Sequence, residues 1–479
     1  MTVLLALAPI LVTLALLLTR LPAWAAPAAG CVTAAVLGVA VFGTDPARLG
    51  AALVGGAPTL LEVAAIIAGG ITLSRIMERS GANGRLGEWL SAGAGPTLAT
   101  ALLMVHGVVP FLEAVTGFGV SLIIGVPLLV GLGFTPFRAA VLSLCGLAIA
   151  PWGSMAPGTL LGARLTGLDF QQIGVAAALW NVVPTVAGAV VAAVLVLRGR
   201  GRRGPTVLRG TAVAVGSAVL QSGLILAANI ALGTAPAGAV GTASMILLWL
   251  LVIHRGRLTP GPGRDVVPYA LLVAGVVAGT LAATAEPALN ALGSPAVWSL
   301  AACAAAVPLL RLPAADRRAV PGEAAVLWWR TAVPTALYLA FGLVLTAGGM
   351  SGALADALGG MGPVYLFLAP FVGGAGGFIT ASNTGSMAMF GALQLDTAHA
   401  LGVSPVLLNG LHNSATGWGI VTGPVRIQVA SALAAPLQRS GMPGLTASPR
   451  NLAAVMLPAV VIPLAVMGAI AAAVLPRVG

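Results

Sequence analysis

Two short polar runs interrupt a strongly apolar chain: TGFGVS at 116–121 and TASNTGSMAMFG at 380–391. Hydroxyls, an amide and glycines at this density suit one kind of chemistry, the gripping of a small anion. These side chains donate hydrogen bonds without installing a charge that would be costly in an empty site, and glycine lets backbone approach a ligand. If each run opens a half-helix, the free N–H groups of its first turn and the helix dipole add to the attraction. The candidate ligands are Thr116, Gly117, Gly119 and Ser121 from the first run and Thr380, Ser382, Asn383, Thr384 and Ser386 from the second. The plainer reading is that small residues simply let helices pack closely. Two runs at matched breaks favour a site instead.

Charged and titratable residues near these runs could complete it. Glu113 lies inside an apolar stretch just before the first run. An ionisable residue at membrane depth is a functional candidate by default, here as a proton carrier. The alternative is a structural carboxyl hydrogen-bonded beside the break. His106 sits seven residues earlier, about two helical turns away, and either partners Glu113 or fills a gap between helices. His412 is the reserve proton carrier, and Asn413 beside it a further ligand candidate. Arg426 could neutralise a carboxylate bidentately or snorkel to the interface. Arg138 reads as a snorkelling residue, and Glu62 as one facing protein rather than lipid.

The elements that must position these residues are membrane helices. Only 7% of the side chains are charged and 58% of residues are hydrophobic. A soluble domain carries about 25% charged residues. Apolar runs near the roughly 20 residues needed to cross a bilayer recur from end to end. They lie near 2–19, 24–43, 58–74, 96–110, 171–197, 211–232, 236–253, 267–285, 296–310, 331–347, 362–377 and 451–475. The fold expected is an all-α polytopic membrane protein with about 12 continuous spans and two broken-helix regions. The first run, MTVLLALAPILVTLALLLTR, lacks a basic segment ahead of it and reads as a membrane helix rather than a signal peptide.

The net charge of +11 comes from arginine, with no lysine present. The arginines cluster in short loops, RGRGRRGPTVLRG (198–210), HRGRLTPGPGRD (254–265) and RLPAADRRAVPGE (311–323). That pattern argues for topology and against nucleic-acid binding. Two spans separate each loop from the next, so all three fall on the cytoplasmic side. Counting outward, the Arg75–Arg85 loop and the loop carrying Arg439 and Arg450 are cytoplasmic as well, and both termini lie opposite. Cys31, Cys145 and Cys303 sit within apolar runs and make neither a disulfide framework nor a zinc site.

The stretches 111–165 and 378–437 resist a simple span reading. Both are apolar but broken by Gly, Pro, Ser, Thr and Asn, and they resemble each other. FLEAVTGFG leads to GLGFTP in one, and FITASNTGS leads to ALGVSP in the other. Each then reaches a Trp-Gly, at 152–153 and 418–419, and a Gly/Pro pair. The span before Phe111 leaves the cytoplasm and the span before Phe378 enters it, so the two stretches read as inverted repeats meeting at a midplane site. The organisation expected is scaffold helices over 1–95, a first repeat over 96–197, central scaffold over 198–347 and a second repeat over 348–479.

FLEAVTGFG, followed by PLLVGLGFTPFRAAVLSL, resembles the lactate permease family, as does ASNTGSMAMFGALQ followed by LGVSPVLLNGLHNS. The resemblance is concentrated in about 105–160 and 370–432. It implies a proton-coupled uptake carrier for short 2-hydroxy monocarboxylates, lactate and glycolate, in the inner membrane of a bacterium, with no cofactor. The SNT triplet is similar to the carboxylate-binding triplet of the wider ion transporter superfamily, whose members pair re-entrant hairpins with broken helices, commonly as homodimers moving by an elevator mechanism. On this resemblance Ser382, Asn383 and Thr384 are substrate ligands, faced by Thr116, Gly117 and Gly119. Two stretches depart from the family's usual pattern, GLAIAPWGSMAPGT (146–159) and GIVTGPVRIQ (419–428), and Asn383 stands where an Asp is frequent.

Other functional classes find less in the sequence. GMSG (349–352) fits the Gly-x-Ser-Gly of an intramembrane serine hydrolase, but in a chain with 64 glycines such a pattern arises by chance. No HExxH zinc motif is present. A channel would call for rings of like residues rather than one pair of repeats.

Overall fold

A computed structural model describes residues 2–17, 19, 21–91, 95–117, 119–199, 201–255, 263–438 and 445–477. Among them the fold is all-helical, with no strand. Large apolar side chains point outward in numbers a soluble surface would not tolerate: Val54, Leu61 and Leu208 are each more than 70% exposed. A lipid environment is what satisfies them.

The chain opens with a hairpin of two 16-residue helices, α1 (Thr2–Leu17) and α2 (Ala25–Ala40). α3 (Pro46–Arg79) runs 34 residues from a start fixed by Asp45, whose carboxylate accepts the Ala47 N–H, and by Pro46 in the first turn. The short α4 (Ala82–Ser91) follows. Arg85 on α4 donates to both carboxylate oxygens of Asp265, at 2.7 and 2.9 Å. Arg79 reaches Asp316 at 3.0 Å and also binds Glu323. These pairs gather three of the basic segments at one end of the molecule, as the loop count expects.

Two arms with the same order of elements carry the polar runs. In the first, α5 (Leu98–Leu103), one π-helical turn (Met104–Val108) and α6 (Val109–Thr116) climb to a reversal at 117–119. Gly117 and Gly119 take φ of 64° and 83°, a region open to glycine and strained for other residues. α7 (Val120–Gly131) then runs back, and Gly125 packs against Val109 with Gly117 midway between them in sequence. Gly133 closes on Pro96, so the hairpin starts and ends at one place. α8 (Pro136–Cys145), an irregular segment over 146–156 and α9 (Pro157–Thr166) complete the arm.

Between the arms lie α10 (Phe170–Arg198), α11 (Pro205–Leu232), α12 (Thr234–Ile253), α13 (Val267–Ala285), α14 (Pro295–Leu309), α15 (Ala314–Ala347) and α16 (Met350–Gly359). The second arm repeats the plan. α17 (Pro363–Thr380) reaches a reversal at Ala381, and α18 (Asn383–Leu401) returns, with Gly376 packed on Ser386 and Phe390. Gly402 turns the chain, as Gly133 does in the first arm. α19 (Pro405–Ile420), a break at 421–423 and α20 (Pro424–Ala434) follow, and α21 (Pro449–Val474) ends the described fold.

The arms interlock. α9 packs on α18, and its counterpart α20 packs on α7 and α8. They also meet α10 at different levels. Arg138, at the base of the first, donates to Gly199 O at 3.1 Å, while Trp180 Nε1 donates to Leu407 O, at the base of the second, at 3.0 Å.

Some expectations change. Among the described residues, eleven helices or helix pairs are long and apolar enough to cross a membrane, or 12 with the bent pair Pro287–Gly293 and Pro295–Leu309. The count resembles the expected one but its members differ: α1 and α2 are short, whereas Pro136–Thr166 and Pro405–Leu437, inside the two broken regions, qualify. The segment RLPAADRRAVPGE is not a loop throughout, because α15 begins at Ala314 and carries Asp316 and Glu323 to Arg79. The Arg439 part of the last basic loop lies outside the described residues.

Candidate functional site

The reversal at Ala381 is built from side chains the sequence marks out. α17 stays helical through GGAGGFIT, and Ala381 alone turns left-handed, at φ 49°. Thr380 Oγ1 donates to Ser382 O at 2.8 Å and accepts the Ser382 N–H at 3.2 Å, closing the turn. Ser382 is the N-cap of α18, its hydroxyl oxygen accepting the Gly385 N–H at 3.2 Å. That leaves Asn383 and Thr384 as the first helical residues, with N–H groups that have no acceptor within the helix. The positive end of a 19-residue helix is aimed at the same place.

A cavity of about 270 Å³ opens there, between the two reversals. Its wall includes Glu113 and Gly117 from the first arm and Thr380, Ser382, Asn383, Thr384 and Arg426 from the second. A larger cavity of about 660 Å³, bordered by Glu62, Arg164 and Asp169, holds none of the residues singled out for binding or proton coupling. The chemistry therefore points to the smaller one. Both stretches that depart from the lactate permease pattern border it, through Ala150, Gly153, Pro157 and Gly158 on one side and Ile420, Val425 and Arg426 on the other.

Arg426, in the first turn of α20, is half-buried. It donates from Nη2 to Ala381 O at 3.4 Å, and its guanidinium lies against Gly119 of the opposite arm. Its Nε is buried without a partner. No acidic side chain pairs with it among the described residues. A cation so placed can take an anionic partner.

Glu113 is 5% exposed. Its Oε2 accepts from the Ser121 hydroxyl at 2.6 Å, and its backbone carbonyl accepts the N–H groups of Gly117 and Ser154, each at 2.9 Å. Ser154, Met155 and Ala156 are three successive left-handed residues without glycine, at φ 47°, 65° and 69°. Such a turn persists only where its surroundings hold it. Here the carbonyls of Glu113 and Ala114 do so, the latter accepting the Met155 N–H at 2.9 Å.

Other predicted residues stand behind the wall. Thr116 is fully buried and bonds back to Leu112 O. Ser386 contacts His412 Nε2 at 3.1 Å and Thr416 Oγ1 at 2.9 Å. The other nitrogen of His412 meets Gln394 at 3.2 Å, and Gln394 in turn accepts from the Tyr365 hydroxyl at 3.0 Å. His412 is thus enclosed, with both ring nitrogens engaged. Asn413 accepts from Asn383 Nδ2 and donates to Thr159 Oγ1, each at 2.8 Å. His106 meets Ser217 at 2.7 Å and is not the partner of Glu113. Ser351 of GMSG is buried with no hydrogen-bond partner among the described residues.

Sequence reasoning missed four contributors. Thr159 ties the arms together, Gly158 lies against Asn383 with no room for a β-carbon, and Arg330 and Tyr338 of α15 line the cavity from outside the arms. Arg330 follows two tryptophans at the edge of an apolar span, a visible signal; Thr159 carried none beyond a Gly/Ser/Pro-rich setting.

A family model described as L-lactate permease matches residues 2–251 and 270–442. The chain is 26% identical over 343 residues to an L-lactate permease of Streptococcus iniae, spanning 64% of this chain and 71% of that protein. It is 27% identical over 391 residues to an L-lactate permease of Escherichia coli (strain K12), spanning 67% and 69%. A shorter match, 42% over 96 residues, covers 20% of this chain and 17% of the glycolate permease GlcA of the same organism.

Proposed function

Since the chain belongs to the L-lactate permease family, we propose that it carries a small 2-hydroxy monocarboxylate, lactate or glycolate, into a bacterial cell together with a proton. The observation that carries this reading is Arg426, a half-buried cation with no acidic partner on the wall of a small cavity between two helix reversals. The substrate carboxylate binds its guanidinium and the free N–H groups of Asn383 and Thr384.

A proton is needed for an electrical reason. Moving one negative charge into a negative interior costs about 2.3 kcal/mol per 100 mV, and a co-transported proton cancels the charge. Glu113 shares the cavity with Arg426 and is the carboxyl that takes up and releases that proton. The matching order of elements in the two arms, which meet α10 at different levels, supports an inverted-repeat plan in which each hairpin enters the membrane part-way. The hydrogen bonds linking Asn383, Asn413 and Thr159 all lie within the arms, while α15 meets the cavity from outside. That division supports movement of the interlocked arms against α3 and α15, an elevator.

The test is counterflow of labelled L-lactate in liposomes containing the purified protein. Saturable counterflow, accelerated by an inward pH gradient, is expected. A protein that shows no saturable exchange is not a carrier of these acids, and uptake that requires sodium and ignores the gradient overturns proton coupling.

A further inference from the structure

We infer that the side-chain oxygen of Asn383 accepts a hydrogen bond from the 2-hydroxyl of the substrate, and that a relay from the first arm fixes this oxygen as the acceptor. The inference rests on the carboxylate-carrier reading above and adds the group that selects among carboxylates.

Asparagine has a donor end and an acceptor end, and which one faces a ligand has to be argued from partners. Here the relay leaves no choice. It begins at the carbonyl of Pro151, which can only accept. Thr159 Oγ1 sits 2.9 Å from it and so must donate. With its hydrogen committed, that hydroxyl can only accept from Asn413, which turns Nδ2 towards it at 2.8 Å. The Oδ1 end of Asn413 then faces Asn383 at 2.8 Å, and Asn383 must present Nδ2 to it. Every member is buried: Thr159 1%, Asn413 0% and Asn383 8% exposed. No water competition reorders it.

What the relay leaves over is Asn383 Oδ1, buried and without a partner. A buried acceptor left unpaired is unfavourable, and a ligand that satisfies it gains accordingly. Asn383 borders the cavity shared with Arg426. A carboxylate cannot satisfy Oδ1, because both are acceptors. A hydroxyl can. In a 2-hydroxy acid the hydroxyl is on the carbon next to the carboxylate, so one small molecule supplies an anion to Arg426 and a donor to Asn383. A 2-oxo acid places an acceptor there and an unsubstituted acid places nothing. An Asp at this position would offer two acceptors and a negative charge beside the substrate carboxylate. The amide keeps the acceptor without the charge.

The test is competition against labelled L-lactate counterflow by glycolate, propionate and pyruvate. In the wild-type protein, glycolate and unlabelled lactate should compete roughly 30-fold more strongly than propionate or pyruvate, as expected of a site whose polar group the analogue leaves unpaired. Thr159→Val keeps the shape but removes the hydroxyl that orients the relay. Asn413 is then free to turn, and the preference for lactate over propionate should fall below about fivefold, while competition by propionate changes less than about threefold. A wild-type protein that takes propionate as readily as lactate overturns the inference without touching the carboxylate site. So does a folded Thr159→Val protein with full preference. If no carboxylate competes with lactate in the wild-type protein, or lactate itself shows no counterflow, the carboxylate-carrier reading falls and the hydroxyl subsite with it. The wild-type comparison needs no variant to fold.

Discussion

The guanidinium of Arg426 rests on Gly119, so closely that a β-carbon built on the glycine would lie 3.0 Å from Cζ. Arg426 belongs to the second arm and Gly119 to the reversal of the first. This half-buried cation of the cavity wall is therefore seated by the tip of the hairpin it does not belong to.

Gly119→Ala should unseat it. The new methyl meets the guanidinium, and alanine at φ 83° is strained by about 1 kcal/mol. That cost is small beside the stability of a folded chain. Folded yield in detergent should survive while counterflow of L-lactate drops at least roughly tenfold, the effect of losing one well-placed charge contact. A folded Gly119→Ala protein with full counterflow shows that substrate does not depend on this seat.

Arg426→Gln and Arg426→Lys separate charge from geometry. Gln removes the charge, and lactate-induced thermal stabilisation should vanish. Lys keeps a point charge but loses the planar fork, so weaker stabilisation, by about 1–2 kcal/mol of binding, should persist. Equal behaviour of Lys and wild type in a lactate titration removes bidentate binding from the account.

Glu113→Gln keeps the shape and the capacity to accept from Ser121 but cannot cycle a proton. Uptake driven by a pH gradient should be lost, while exchange of internal for external lactate, which needs no net proton movement, continues. Gradient-driven uptake at the wild-type rate in this variant would falsify the assignment.

Topology predicts sidedness. Arg203 lies exposed just after α10 and Arg48 lies exposed near the start of α3. In a protein with Cys31 replaced, the other two native cysteines are buried. In intact cells an impermeant thiol reagent should label Arg48→Cys and spare Arg203→Cys, and inside-out vesicles should reverse the pattern. Labelling of both from one side breaks the loop count.

The sequence was most legible where apolar runs and glycine-marked reversals coincide. The breaks beside Thr116 and Thr380 are where hydroxyls and glycines interrupt long apolar stretches, and both fall on one cavity. It was less legible where packing overrides propensity. α17 runs on through GGAGGFIT to Thr380, past the expected end of its span at 377, because missing side chains let α19 backbone approach, as at Gly377 against Ile420. The interior of 378–437 likewise holds helices of 19 and 16 residues, α18 and α19. The direction of the Thr159–Asn413–Asn383 relay could not be read at all, since it depends on which carbonyl Thr159 meets after folding. Ser386 and His412 carried the right chemistry, but helix rotation turns them towards each other and away from the cavity.

The bond from Asn413 to Thr159 joins residues 254 positions apart. Ribosomes add about 5–20 residues per second. By that rate, Thr159 is made some 13–50 s before the residue that will orient against it. Throughout that interval the first arm holds a polar relay with only one end in place. α9 must then wait for α18, and α7 for α20, before either has its packing partner. Insertion of the early helices and completion of the cavity are thus separate events in the life of one chain. A ribosome that stops before Asn413 leaves a molecule already in the membrane, with most of its spans, and with the Thr159 hydroxyl still lacking its partner.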